Sequence, residues 1–101
     1  MNPPSFHFTE TDVAIASAAL RDLSDYLMSP YASSPSHKAH AMHYVRIADQ
    51  LQHHSASFPV NDLRHICIAL KFFIEDHPLD FKASQLLDRL ALVCGFIDPV
   101  S

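Results

Sequence analysis

The sequence predicts an all-α domain of four helices, arranged as two antiparallel αα-hairpins that pack into a small bundle. Three observations predict it. The 101 residues contain a single glycine, Gly95, which disfavours a β fold built on many tight turns. Apolar residues recur at three- and four-residue spacing in four separate stretches. The second pair of stretches repeats the pattern of the first. A chain of this length, 49% hydrophobic and 18% charged, is that of one globular domain with one modest core.

The first helix is expected over about Asp12 to Met28. Val13, Ala16, Leu20, Leu23 and Leu27 form its stripe. The preceding "TETD" offers a capping box between Thr9 and Asp12, or Thr11 as a direct cap, and Pro30 ends the helix. The second runs from about Ser36 to His54, with Tyr44, Ile47, Ala48 and Leu51 inward. The third covers about Asp62 to Asp76, with Leu63, Ile66, Leu70 and Phe73 inward. Asn61 can cap it, and Pro78 stops it. The fourth covers about Asp80 to Cys94, with Ala83, Leu87, Leu90 and Cys94 inward. Gly95 is well placed to terminate it in a left-handed conformation. The hairpins thus occupy about 11–54 and 61–95.

The hairpins read as copies. "TDVAIASAALR" (Thr11 to Arg21) aligns with "NDLRHICIALK" (Asn61 to Lys71) at an offset of 50. "YVRIA" (Tyr44 to Ala48) aligns with "LDRLA" (Leu87 to Ala91) at an offset of 43, so the second connection is seven residues shorter. Two such hairpins give a four-helix arrangement with pseudo-twofold character. Tetratricopeptide and ankyrin signatures are missing.

Composition narrows the function classes. With 7 basic and 11 acidic residues the net charge is −4, and the bases are scattered, which argues against nucleic acid as partner. No apolar run reaches the length of a membrane helix, and the N-terminus lacks the basic and apolar regions of a signal peptide. A cytoplasmic protein is expected, with no membrane partner. Cys67 and Cys94 sit in apolar helical stretches and read as core thiols. No GxSxG elbow, HExxH pair or glycine-rich phosphate loop is present, so no catalytic residue and no cofactor is expected.

Two features remain. On the third helix, Leu63, Ile66, Phe73 and Ile74 fall within about 60° of Leu70, whereas Ile68 and Phe72 fall at about 160° and 200°, with His65 beside them. The equivalent residues of the first helix are Ala18 and Asp22. On the second helix, Met42 and Val45 likewise lie off the Tyr44/Ile47/Leu51 stripe. Ile68, Phe72, His65, Met42 and Val45 are therefore the candidate contact face for a protein partner or a second copy of the chain. The expected function is non-enzymatic protein binding, through self-association or as a small regulator or inhibitor, of the phage type among others.

The second feature is histidine. The chain has 8, so complete protonation would turn −4 into +4. "SHKAHAMH" sets His37, His40 and His43 three apart. They fan across about 120° of the helix, too wide for one ion, and lack a carboxylate. They are expected to pack at helix contacts or to lie half-exposed beside the long loop, where a pH-responsive contact is a further reading. The alternative function, a histidine-based metal-binding protein or small metal-dependent enzyme, would rest on them.

Overall fold

Capping chemistry and apolar spacing produce four helices: α1 (Glu10–Leu27), α2 (Pro35–Gln52), α3 (Val60–Asp76) and α4 (Phe81–Cys94). The structure, a computed structural model, describes residues 6–29, 34–53 and 58–95, and there is no strand among them. Pro30 and His54 lie outside the described residues. The expected hairpins are present: α1 packs on α2, α3 packs on α4, and α1 against α3 is the main joint between them.

The Thr9/Asp12 capping box forms in full. The Asp12 amide donates to Thr9 Oγ1 and the Thr9 amide to Asp12 Oδ2, each at 3.1 Å. Thr11 lies inside the helix instead. At α2, Ser34 caps by accepting from the His37 amide, and Pro35 fills the first helical position, where its missing N–H is not needed. Asp80 caps α4 by accepting from the Ala83 amide, and Gly95 closes it at φ 70°.

The α3 start differs from expectation. Asn61 lies inside the first turn, and the cap position is Pro59, which makes no side-chain cap bond. Its ring sets φ at −58°, and its carbonyl accepts from the Asp62 and Leu63 amides. On α4, Leu86 is fully buried and Leu87 only half-buried, so the inward stripe is rotated by one residue at that turn.

One core draws on all four helices. Phe8 meets Phe58 edge-on at 5.8 Å, just ahead of α1 and α3, and Tyr26 meets Phe72 at 5.2 Å near their ends. The two helices therefore run in the same direction. Positions aligned at the offset of 50 match in burial: Ala16/Ile66, Ala19/Ala69 and Leu20/Leu70 are all fully buried. Burying a Leu or Ile side chain contributes about 1.5–3 kcal/mol, so these positions carry much of the joint. The α1–α2 contact adds a buried hydrogen bond from Ser24 Oγ to the Ala41 carbonyl at 3.0 Å.

Candidate functional site

The chemistry-bearing cluster lies where α2 crosses α3. Asp62 is in the first turn of α3, where the helix dipole favours a carboxylate. His65 follows three residues later on the same side of the helix. From α2, His43 reaches across, and its Nε2 lies 3.4 Å from Asp62 Oδ1. One ligand-competent atom from each of His43, Asp62 and His65 lies within 4.8 Å of the others. The imidazoles of His43 and His65 meet edge-on with centroids 4.8 Å apart. The Tyr44 ring stands perpendicular to His65 at 5.6 Å, walling the site toward the core.

The electrostatics follow from burial. His65 Nδ1 is buried and has no hydrogen-bond partner among the described residues. Burial, and then the neighbouring His43, hold the His65 imidazole below its usual 6.5; His40 acts the same way, and Asp62 opposes them. A neutral imidazole beside a carboxylate is a donor set suited to a divalent cation.

Of the expected histidine run, only His43 enters this cluster. His40 is exposed one turn earlier, and His37 sits half-buried in the first turn of α2. The three do not share one centre, as their 120° fan implies, and the actual group takes one residue from α2 and two from α3. Asp62 was missed as a site residue. Its equivalence to Asp12 was legible in the sequence, but that each carboxylate meets a partner from the opposite hairpin was not.

The contact-face candidates fall in two places. On α3, Ile68 is 42% exposed and Phe72 is half-buried, its ring against Tyr26 of α1, itself 47% exposed. The equivalent Ala18 and Asp22 are exposed on α1. Met42, 67% exposed, and the half-buried Val45 line a groove of about 360 Å³ with Ser24, Met28 and Ala41, between α1 and α2. A further apolar surface escaped the sequence reading: Leu79 and Phe81, both strongly exposed, flank the α3–α4 turn. They stand next to Pro78 and Asp80, and read from sequence as ordinary turn punctuation.

Cys67 and Cys94 are buried, with sulfurs 3.7 Å apart. Burial, and then the Cys94 thiol, push the Cys67 thiol up, so thiolate chemistry is suppressed there. No protein-family model matches the chain, and no curated protein or solved structure gives a significant match to it.

Proposed function

We propose that this chain is a non-enzymatic helical domain that acts by binding protein, a second copy of itself or a partner it regulates. The contact surface is the apolar patch of Ile68, Phe72 and Tyr26 on α3 and α1. One observation carries this reading. Ile68 is exposed at a position where the other copy of the helix has Ala18, and one turn on it adjoins Phe72, where the other copy has Asp22. A bundle needs no isoleucine there, so an apolar residue facing water is better explained by what it meets. Tyr26 extends the patch through its ring contact with Phe72. Tyr26 and Phe72 are of the residue type that anchors contact surfaces. The groove lined by Met28, Met42 and Val45 supplies a second, adaptable apolar strip, because methionine repacks readily.

The test compares Ile68→Asp and Phe72→Asp with the wild type by sedimentation, by capture from the native host and by thermal melting. Ile68→Asp is expected to lose self-association or partner capture while keeping its melting temperature. Phe72→Asp is expected to lose both, because its ring is half-buried against Tyr26 and the core. A wild type that is monomeric, and that retrieves nothing Ile68→Asp does not, would overturn the reading.

A further inference from the structure

The geometry points to a binding site for a divalent cation of the zinc class, formed by His43, Asp62 and His65, that ties α2 of one hairpin to α3 of the other.

The distances suit such an ion. Zinc bonds of roughly 2.0–2.1 Å in tetrahedral array place neighbouring ligand atoms about 3.3 Å apart. His43 Nε2 and Asp62 Oδ1 already lie 3.4 Å apart. The widest separation in the group is 4.8 Å. Side-chain rotation alone can close that difference, since both histidines and the aspartate stand on rigid helices. Asp62 and His65 share one side of α3 at three-residue spacing, so one ion can face both without distortion of the backbone.

His65 points the same way. Its Nδ1 is buried without a hydrogen-bond partner among the described residues. Buried polar atoms are almost always paired, and an unpaired one on a ring of this cluster needs an explanation. Coordination through Nδ1 would give it a partner. The Tyr44 and His43 rings hold the imidazole edge-on from two sides, which fixes its orientation. Burial keeps it neutral, the form a metal requires.

Charge and donor type select the class of ion. Two neutral imidazoles and one carboxylate are borderline donors of net charge −1. They suit Zn²⁺, Co²⁺ or Ni²⁺ better than the oxygen-seeking Mg²⁺ or Ca²⁺. Three protein ligands leave at least one coordination position for water or for a donor from a bound partner.

The test is calorimetric titration of the untagged full chain with Zn²⁺. One ion per chain is expected, together with a higher melting temperature in zinc. Asp62→Asn and His43→Gln should each weaken binding by at least about 100-fold, since loss of even an outer-shell partner costs roughly 10–100-fold. His37→Gln should leave it unchanged. A readout on the wild type guards against a variant that fails to fold: Co²⁺ should shift the ring resonances of His43 and His65 well ahead of those of His7 and His53. Absence of saturable uptake would overturn the site. So would uptake that survives Asp62→Asn, uptake lost in His37→Gln, or Co²⁺ shifts spread evenly over the histidines.

Discussion

Asp12 and Asp62 occupy the same place in the two copies, at the start of α1 and of α3, and each meets a partner from the second helix of the opposite hairpin. Their partners differ in kind. Asp12, buried, accepts from Arg89 Nη2 at 2.6 Å and from the Thr9 amide at 3.1 Å. Asp62 faces His43 at 3.4 Å with His65 alongside. An arginine partner is always charged and saturates its carboxylate with a short, charge-assisted bond. A histidine pair can change protonation or bind a cation. The α1–α4 seam is thus a closed structural joint, and the α2–α3 seam is a joint with spare chemistry. The outer faces differ in the same sense, with Ala18 and Asp22 against Ile68 and Phe72. The two hairpins share one packing pattern, and the second departs from the first at positions the core does not use.

The comparison rests on a shared core, and breaking that core should have the largest effect. Leu20→Ala and Leu70→Ala, at equivalent and fully buried sites, should each cost about 2–5 kcal/mol by denaturant melts. A large loss at one and almost none at the other would show that the halves do not share the joint equally.

The two carboxylates come next. Asp12→Ala removes a buried charged hydrogen bond and a cap, and should cost about 1.5–3 kcal/mol. Asp62→Ala, measured with a chelator present, should cost less than about 1 kcal/mol, since its histidine partner is more distant and half-exposed. Equal losses would erase the distinction between the seams.

A smaller effect of opposite sign is expected inside α1. Ser17 and Cys67 are equivalent and buried, and Ser17 Oγ has no hydrogen-bond partner among the described residues. Ser17→Ala should therefore raise stability by about 1 kcal/mol. Cys67→Ser, which places a hydroxyl in the second copy, should lower it.

Acid should separate the seams as well. His65 has a folded pKa below its unfolded 6.5, so the unfolded chain takes up the proton first. Its contribution is complete above pH 6.5 and is lost as pH falls through the depressed folded value. In Asp12, burial pushes the carboxyl up, but Arg89 and Thr9 together outweigh it and hold the group below 3.8. Its contribution is complete above pH 3.8 and is lost as pH falls through that lower folded value. A pH series of melts should show two declines, and His65→Gln should remove only the upper one. A single decline near pH 3.8 in the wild type would mean that the α2–α3 seam does not sense protons.

What could be read from sequence was local. The Thr9/Asp12 box, the Gly95 terminus and the four apolar stripes each depend on residues within a turn or two, and each was legible, save that Leu86 takes the buried place expected of Leu87. The α3 start was not, because Asn61 carries the usual cap chemistry while Pro59 supplies only geometry and a carbonyl. The His43–Asp62–His65 group was hidden for a different reason. Helical spacing groups residues of one helix, as it grouped His37, His40 and His43. Which side chains meet across helices depends on how α2 crosses α3, and no periodicity reports that angle. Phe72 is intermediate: the wheel placed it outward, and its half-burial comes from Tyr26, a neighbour on another helix.

The proposed asymmetry between the two hairpins is tested most directly by one paired measurement, sedimentation and partner capture of Ala18→Asp beside Ile68→Asp. Both positions are exposed and equivalent, so both variants should melt with the wild type. The expected result is that only Ile68→Asp loses association. If both variants lose it, or neither does, the apolar face of α3 is not what distinguishes the second copy from the first.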